Sequence, residues 1–313
     1  MMLINANDSS LVSVVMCTYN GEKFIREQID SILAQTYRNI ELVIVDDTSA
    51  DNTVSILEEY RRRDSRVRYF VNEKNLGYNK NFEFAFSLAR SEFIAISDQD
   101  DIWEANKIET MMRHWRPGSM MMYSLTGHLF SESNTKKDPA NVHYADVEHI
   151  HQHVFNSPIH GHACMVKKEL ITISSPFPEK IFYDAWLGMY AVSLGTIIYV
   201  PHILSWHRIH EMNYSRDIMS IADKEERNRK LREQMIYFIE TFCRQGIGKK
   251  QEIDSILQYA AILKKMDGKK FSFPMFRYVM ENRKLVFHYK KKKPFLFISH
   301  LKHALRMARK GLL

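Results

Sequence analysis

The stretch LVSVVMCTYN, residues 11–20, decides the fold. Its apolar part has the length and β-branched content of a buried strand, and the polar residues after it end that strand. The same arrangement recurs three times, with apolar runs at 40–45, 67–71 and 93–96 before the polar clusters 46–49, 72–77 and 98–101. Helical patterns separate the runs, so the sequence predicts a parallel sheet. Ligands bind outside the carboxyl ends of such sheets, and the four polar clusters are therefore expected to line one crevice.

Length, composition and cysteine count indicate a globular protein of the cytoplasm. The chain has 313 residues, of which 45% are hydrophobic and 26% charged, enough for one large domain or a domain with an appendage. Its three cysteines (Cys17, Cys164 and Cys243) are too few and too widely spaced for a disulfide framework or a cysteine-rich zinc site. Residues 1–10 are not basic, and no run reaches the roughly 18 apolar residues of a membrane span, so neither a signal peptide nor a transmembrane helix is expected.

The net charge of +7 is unevenly distributed along the chain. Residues 264–313 hold 15 Lys and Arg against two acids, which gives +13, so residues 1–263 sum to −6. A basic segment this one-sided favours an anionic partner over a merely solvated surface.

The pattern changes near residue 218, and the sequence therefore predicts two parts. In residues 1–218 the alternation continues with strands near 120–125, 163–166 and 196–200, the last ended by Pro201, and a helix over 184–194. In residues 219–313 amphipathic helices are predicted over 221–242 and 251–265, before an aromatic and basic helical region. We expect an α/β domain in the first part and a helical appendage in the second.

The cluster at 98–101, DQDD, has the residues of a metal site. At an extended strand end Asp98 and Asp100 point the same way, and two carboxylates so close resist joint ionisation unless a cation lies between them. Hard oxygen ligands suit Mg²⁺ or Mn²⁺, usually shared with substrate phosphates. The alternative is an acidic turn before a helix at Trp103. Tyr19 and Asp47 at neighbouring strand ends favour the site, because a ring and a carboxylate together hold a base.

The ordered motifs resemble those of family-2 glycosyltransferases, which are inverting enzymes with a nucleotide-sugar donor and a GT-A fold. The resemblance covers residues 11–215, and it rests on residues 14–21, 35–37, 46–53, 75–77 and 97–103. The family usually has Gly at the position of Thr48 and Thr at the position of Ala50. The resemblance implies an α/β fold with a mostly parallel, GT-A-like central sheet, to which the C-terminal α-helical appendage is added.

The resemblance also implies roles for individual residues. The donor would be bound by Thr18, Tyr19, Asp47, Asn75, Gly77 and Asp98. Asp98 and Asp100 would form the DxD pair that holds ribose and Mn²⁺ or Mg²⁺. The family's catalytic base matches Asp184, although Tyr183 replaces the acid that often precedes it, and the alternative is that Asp184 only caps its helix. We take Trp103, His162, Tyr183 and Trp186 as acceptor-site candidates.

Residues 206–215 resemble the His-x-x-Asn segment of bacterial rhamnosyltransferases in this family, with His207, His210 and Asn213. His210 would be a third metal ligand or a diphosphate contact. The implied reaction moves L-rhamnose from dTDP-rhamnose onto a lipid-linked polysaccharide precursor. A UDP-hexose or UDP-N-acetylhexosamine donor remains open, as does a non-catalytic nucleotide-sugar scaffold, whereas a nucleotidyltransferase would need a Gly-rich loop after the first strand.

Histidines alternate at His149, His151 and His153, and again at His160 and His162. On a strand such residues could bind a metal, but no cysteine supports that interpretation. Histidines of an acceptor groove or of the surface are the favoured interpretation.

The basic tail predicts a membrane contact. After Pro294, Ile298, Leu301, Leu305, Ala308 and Leu312 form an apolar stripe flanked by Lys and Arg. Such a helix lies on an anionic membrane, which places the protein on the inner face of the bacterial plasma membrane. The alternative is that the stripe packs on the catalytic domain or on a second copy in a homodimer. No nucleic-acid-binding module is present in the sequence, so no nucleic acid partner is expected.

Overall fold

A computed structural model of the chain describes residues 10–131, 133, 135–138, 144–210, 221–266, 271–289 and 296–310. The chain divides into two compact units. Unit 1 contains Met1–Asn141, Ile159–Ala191 and Gly195–His210, and unit 2 contains Val142–Pro158, Val192–Leu194 and Glu211–Leu313. The sequence predicts a single division at residue 218. In the structure the earlier segment Val142–Pro158 also belongs to unit 2, together with the C-terminal helices.

The first half of unit 1 alternates strands and helices, as the sequence predicts. Strands β1 (Val12–Thr18), β2 (Ile40–Asp46), β3 (Val67–Val71) and β4 (Phe93–Ser97) are parallel and lie in the order β3-β2-β1-β4. Helices α1 (Ile25–Leu33), α2 (Thr53–Arg63), α3 (Tyr78–Ser87) and α4 (Lys107–His114) connect or follow them. Every residue of β2 and β4 is buried, which explains their continuous apolar sequences.

The second half of unit 1 extends the sheet with mixed directions. The added strands are β5 (Ile102–Trp103), β6 (Met121–Phe130), β7 (Thr135–Lys137), β8 (Cys164–Lys167) and β9 (Ile198–Ile209). Strand β8 is antiparallel to both β4 and β6, whereas β9 is parallel to β6. The described residues thus form one nine-stranded sheet, ordered β3-β2-β1-β4-β8-β6-β9-β5 with β7 beside β6.

Strand β9 continues past the proline at which the sequence predicts its end. The register against β6 shifts between Ser124, paired with Val200, and Leu125, paired with Ile203, so Pro201 lies in a bulge. A proline cannot donate to a sheet ladder, but a bulge removes that requirement. The strand therefore reaches Ile209 and brings His207 and Arg208 to the edge of the candidate site.

The remaining elements among the described residues are helices. They are α5 (Ile150–Asn156), a 3-10 turn at Gly161–Ala163, α6 (Lys168–Ser174), α7 (Tyr183–Leu194), α8 (Lys224–Cys243), α9 (Lys250–Lys264), α10 (Phe273–Glu281), α11 (Arg283–Val286) and α12 (Leu296–Lys310). The predicted helices over 221–242 and 251–265 are confirmed to within a few residues. Among the described residues, no helix combines the length and the apolar character that crossing a membrane requires.

The first set of alternating histidines lies on a helix, which corrects the prediction of a groove or surface position. His149 precedes α5 and its Nδ1 lies 2.7 Å from Oε1 of Glu252. His151 and His153 are buried, and His151 Nε2 lies 2.9 Å from the Ser255 hydroxyl. On a helix, residues that are two positions apart point in different directions. These histidines therefore hold α5 within unit 2 through separate contacts and do not form one shared site.

Helix α12 differs from the prediction of a single apolar stripe, because apolar residues lie both on a buried face and on an exposed face. His300, Ala304, Met307 and Ala308 are buried within unit 2, and the Ser272 N–H that precedes α10 donates to the Ala308 carbonyl. Ile298 and Leu305 are instead 61% and 40% exposed. The predicted helix start at Pro294 and the end of the stripe at Leu312 lie outside the described residues.

Candidate active site

The acidic loop, defined as residues 98–101, is tied to the end of β1. Gln99 Oε1 accepts hydrogen bonds from the Thr18 hydroxyl at 2.7 Å and from the Tyr19 backbone N–H at 3.0 Å. In return Gln99 Nε2 donates to the Tyr19 carbonyl at 3.2 Å. Two of the predicted polar clusters therefore meet through a glutamine that the sequence analysis did not assign a role. Tyr19 stays 51% exposed, so its ring is available to a base.

Asp47 is held by the polar cluster that follows β3. Its carboxylate accepts hydrogen bonds from Asn72 Nδ2 at 2.7 Å, from the Leu76 N–H at 2.8 Å and from the Gly77 N–H at 2.9 Å. Asn75 Nδ2 donates to the Asp47 carbonyl. A carboxylate has about four lone-pair positions, so the three protein donors leave room for one N–H of a base. Asn75 and Gly77 position Asp47 in this structure.

Asp100 forms the core of a candidate metal site. Its Oδ2 lies 2.7 Å from Nε2 of His210, and both side chains are largely buried. Burial raises the pKa of Asp100, the His210 contact lowers it, and the nearby carboxylates of Asp101 and Asp98 raise it further. The net effect is a raised pKa, which means that the protein places too little positive charge near Asp100 to stabilise its ionised form fully. Carboxylate oxygens with one imidazole nitrogen form a donor set that Mn²⁺ or Mg²⁺ fits.

Asp98 lies between this pair and the 3-10 turn. Strand β4 ends at Ser97, so Asp98 already belongs to the loop, and its side chain is 27% exposed. Its Oδ2 lies 3.4 Å from Nδ1 of His162, the central residue of Gly161–Ala163. The acidic loop is thereby linked to the segment that positions the predicted base.

Asp101, which the sequence analysis treated only as part of the acidic turn, anchors the loop to β9. It is fully buried, and its Oδ1 accepts the Arg208 N–H at 3.0 Å and lies 3.2 Å from His207 Nδ1. Burial alone would raise the pKa of Asp101, but His162, His207 and the Arg208 N–H lower it overall. Conversely, burial lowers the pKa of His207, and the contact with Asp101 raises it overall. Each group of the pair therefore favours the charged form of the other.

Asp184 lies in the first turn of α7. Its Oδ2 accepts the Gly161 N–H at 3.2 Å, and its Oδ1 accepts the Ala185 N–H at 2.8 Å. Burial raises the pKa of Asp184, and the two N–H donors only partly offset that effect. The helix cap is Phe182, which has no side-chain cap bond, so Asp184 is not the residue that begins the helix. A carboxylate with a raised pKa is a stronger base when it is ionised.

The acceptor-site candidates have little free surface. Trp103, Tyr183 and Trp186 are at most 3% exposed, and His162 is 6% exposed. Tyr183 stacks among aromatic residues of α3, with its ring 4.3 Å from that of Phe82, and Trp186 Nε1 donates to the Ser174 carbonyl. Large aromatic side chains after a strand or at a helix start are as suited to a core as to a sugar site. The exposed ring beside Asp184 is Phe182, at 48%.

Gly161 is required by the close approach of Tyr183. A Cβ at this position would lie 2.1 Å from Oη and 2.8 Å from Cζ of Tyr183, whose side chain is fully buried. We expect Gly161→Ala to lower the free energy of unfolding by about 1–3 kcal/mol and to reduce activity, because the Gly161 N–H moves away from Asp184. Thermal unfolding and initial rates measure both effects.

The matched control for Gly161→Ala is the same substitution combined with Tyr183→Phe. Removing Oη relieves the shortest contact, so the double variant is expected to recover part of the lost stability. Unchanged stability in Gly161→Ala alone would contradict the packing argument.

Comparison with known proteins places this site in a family. A family model described as "Glycosyl transferase family 2" matches residues 13–169. An uncharacterized glycosyltransferase of Haemophilus influenzae is 26% identical over 247 residues, which cover 73% of this chain and 74% of that protein. The Escherichia coli enzyme named UDP-Glc:alpha-D-GlcNAc-diphosphoundecaprenol beta-1,3-glucosyltransferase WfgD is 44% identical over 102 residues, 33% of this chain and 40% of that protein.

A solved structure shares the fold. The mannosyltransferase PcManGT of Pyrobaculum calidifontis, in complex with GDP-Man and Mn²⁺, superimposes with a TM-score of 0.58 and 16% identity. The match covers 98% of this chain and 89% of that one. The described residues thus share a GT-A-type architecture with that enzyme.

Proposed function

Because the chain belongs to glycosyltransferase family 2, we propose that it transfers a sugar from a nucleoside diphosphate donor to a hydroxyl group of a polysaccharide precursor. One observation supports this most directly. The 3-10 turn Gly161–Ala163 donates to Asp184 through Gly161, and its next residue, His162, lies beside Asp98 of the acidic loop. A candidate base and a candidate diphosphate site are thereby fixed to one short segment. We assign catalysis to residues 1–218.

In the proposed reaction Asp184 accepts the proton of the acceptor hydroxyl. The hydroxyl oxygen forms a bond to the anomeric carbon while the bond from that carbon to the diphosphate oxygen breaks. The nucleoside diphosphate leaves with the bonding electron pair, and the configuration at the anomeric carbon inverts. One carboxylate suffices for this single displacement, so the absence of an acid at Tyr183 is no obstacle. Tyr19 and Asp47 are proposed to hold the base, with Thr18 fixing the loop.

A divalent cation would be held by Asp98, Asp100 and His210. When bound, it supplies positive charge that offsets the charge developing on the diphosphate leaving group. The Mn²⁺ in the PcManGT structure supports divalent metal use. The donor set of this chain is compatible with Mn²⁺ and with Mg²⁺.

We propose dTDP-rhamnose as the donor, with UDP-hexose or UDP-N-acetylhexosamine as the rivals. The proposal rests on the residues around His207 and His210, since Asn213 lies outside the described residues. The names of WfgD and PcManGT specify UDP-Glc and GDP-Man, so relatives of this fold use several donors.

The experiment that tests the function measures nucleoside diphosphate release with dTDP-rhamnose, UDP-Glc, UDP-GlcNAc and GDP-Man, each with and without acceptor. Release with dTDP-rhamnose alone, and its absence in the Asp184→Asn control, would support the full proposal. Release with another donor would refute the rhamnose assignment but keep the transferase. No release with any donor, while a nucleoside diphosphate still binds, would favour the non-catalytic scaffold.

We further propose that the acceptor is lipid-linked and that residues 219–313 attach the protein to an anionic membrane. The name of WfgD specifies a diphosphoundecaprenol acceptor. The outer face of α12 supports the proposal, because Ile298 and Leu305 are exposed there together with Lys302 and Arg306. This arrangement is typical of a helix that lies in the membrane interface.

Reversing two charges of this face tests the attachment. Lys302→Glu with Arg306→Glu is expected to weaken binding to acidic vesicles by at least about 2 kcal/mol, since each basic residue near such a surface contributes about 1 kcal/mol. Binding of the wild type is also expected to fall with salt, because surface charges are screened within about 8 Å at physiological ionic strength. Co-sedimentation with acidic and with neutral liposomes measures both.

The matched control is Arg62→Glu with Arg63→Glu on α2, where both side chains are exposed and the net charge changes equally. It is expected to bind acidic vesicles almost as the wild type does. Equal binding to acidic and neutral vesicles would refute the attachment, and a change of oligomeric state in the α12 variant would indicate a homodimer contact instead. Deleting α12 is unsuitable, because Ala304 and Met307 are part of the unit 2 core.

A further inference from the structure

Three side chains converge at the end of the acidic loop without contacting the reacting groups of the proposed reaction. Asp101, His162 and His207 each offer one ligand atom, and these atoms all lie within 4.8 Å of one another. They come from three different segments, namely the acidic loop, the 3-10 turn Gly161–Ala163 and strand β9. Asp100 lies beside His210 instead, so the cluster of Asp101 is separate from the proposed diphosphate metal site.

The cluster contains an unsatisfied buried acceptor. Among the described residues, Asp101 Oδ2 has no hydrogen-bond partner, although Asp101 is fully buried. His162 Nδ1 lies 3.6 Å from this oxygen, too far for a hydrogen bond. Leaving a carboxylate oxygen in this state is costly unless a cation or a donor reaches it.

We propose that Asp101, His162 and His207 form a second metal site, one that takes a zinc-class transition metal ion. Two imidazole nitrogens and a carboxylate oxygen are ligands that Zn²⁺ prefers, and an imidazole-rich set is disfavoured by Mg²⁺.

Two histidine–carboxylate distances are close to those that such an ion requires, each to a different oxygen of Asp101. Ligands about 2.0–2.1 Å from a tetrahedral zinc ion lie roughly 3.3 Å from each other. His207 Nδ1 lies 3.2 Å from Asp101 Oδ1, and His162 Nδ1 lies 3.6 Å from Oδ2. The two imidazole rings are stacked, parallel within 3° and with centroids 5.1 Å apart. Because the imidazole lone pair lies in the ring plane, one ring has to tilt for both Nδ1 atoms to reach one ion.

The surrounding residues hold His162 in a ligating orientation. Its Nε2 lies 3.2 Å from the Thr126 hydroxyl, which leaves Nδ1 directed at the carboxylates. Its carbonyl accepts a hydrogen bond from Nζ of the fully buried Lys107 at 2.6 Å. Because Gly161, the preceding residue, donates to Asp184, an ion at His162 would stabilise the position of the proposed base without contacting substrate.

Metal binding to the full-length chain tests the site. The protein is stripped with chelator, dialysed against Zn²⁺ without nucleotide or Mg²⁺, and its bound zinc is measured. We expect about one tightly bound zinc ion per chain, which Asp100→Asn retains and His162→Ala loses. The affinity of His162→Ala should fall on the order of 100-fold or more, since even residues that only orient a ligand contribute 10- to 100-fold.

Co²⁺ substitution provides a readout that does not depend on any variant. A cobalt ion bound by two imidazoles and a carboxylate in the wild-type chain should give the intense visible absorption of tetrahedral coordination, and Zn²⁺ should displace it. His207→Gln is the second ligand variant should His162→Ala fail to fold. Circular dichroism identifies variants that are folded.

Two results would overturn the proposal. Zinc that is lost in Asp100→Asn and kept in His162→Ala would place the ion at Asp98, Asp100 and His210. An absence of tight zinc and of the cobalt spectrum would mean that protonated His207 alone balances the charge of Asp101. Neither result depends on the transferase activity, so the site and the proposed function fail independently.

Discussion

Asp184→Asn is expected to bind donor as the wild type does and to lose transfer by roughly 10²–10⁴-fold. An amide does not accept the proton of the acceptor hydroxyl, so the chemical step loses its base. The substitution also affects local hydrogen bonds. Asp184 accepts the Gly161 N–H with one carboxylate oxygen and the Ala185 N–H with the other, whereas asparagine has a single side-chain oxygen. The measurements are kcat, KM for the donor, and nucleotide affinity by calorimetry.

The matched control is Asp223→Asn. Asp223 caps helix α8 by accepting the Glu226 N–H, so it represents a carboxylate that serves only a helix start. It is expected to change transfer by less than about a factor of two, since asparagine caps a helix about as well as aspartate and no proton acceptor of the reaction is lost. Equal effects of the two substitutions, or a loss of donor affinity that matches the loss of activity in Asp184→Asn, would show that Asp184 is not the base.

The pH dependence of kcat/KM gives a second test of Asp184. The base is active only when it is ionised, so activity should fall as the pH decreases through the pKa of Asp184. Burial raises that pKa, and the acidic limb should therefore lie above the ordinary aspartate value of about 3.9. The residual activity of Asp184→Asn should lack this limb. A limb that persists unchanged in the variant would assign it to another group.

The position of the site could be predicted from the sequence because it follows from sheet direction. Parallel strands place their carboxyl ends on one edge, so the clusters after β1, β2 and β4 had to meet. The Gln99–Thr18 hydrogen bond confirms this for β4 and β1, and the bond from the Asp47 N–H to the Thr18 carbonyl confirms it for β2 and β1. The role of Gln99 itself could not be predicted, since a single amide between aspartates has no distinctive pattern.

The second half of the site was harder to predict because its contacts depend on tertiary structure. Proline commonly ends a strand, and only the bulge at Pro201 allows β9 to bring His207 to Asp101. The burial of Trp103 and Trp186 likewise depends on packing that residue type does not determine. The requirement for glycine at position 161 could not be predicted from the sequence either, because it arises from a contact with Tyr183, which is 22 positions away.

One departure from the family pattern has a visible conformational cost. Thr48 stands where the family usually has glycine, and its φ is 65°. A β-branched residue is strained in this left-handed region, by about 1–3 kcal/mol. The loop between β2 and α2 therefore keeps its shape without the residue best suited to it. This indicates that neighbouring hydrogen bonds fix the backbone, such as the one that the Ala50 N–H donates to Asn20 Oδ1.

Asp100→Asn is expected to lower transfer on the order of 10²-fold or more while the fold survives. The reason is electrostatic: the asparagine keeps the shape of the side chain but removes one of the negative charges proposed to bind the cation beside His210. Because burial and two neighbouring carboxylates already disfavour the charge of Asp100, its substitution should not destabilise the chain without metal. Initial rates across a Mn²⁺ and a Mg²⁺ titration measure the loss of transfer. Thermal unfolding in chelator shows whether the substitution destabilises the chain without metal.

His210→Ala and the double variant with Asp100→Asn decide whether the two residues act through one ion. If both are ligands of the same cation, each single substitution removes most of the benefit of the metal, and the double variant should be little worse than the poorer single one. Independent roles would instead give losses that multiply. Full turnover of Asp100→Asn in excess chelator would refute a metal at this site, because the reaction would then proceed with neither the carboxylate nor the ion that it is proposed to bind.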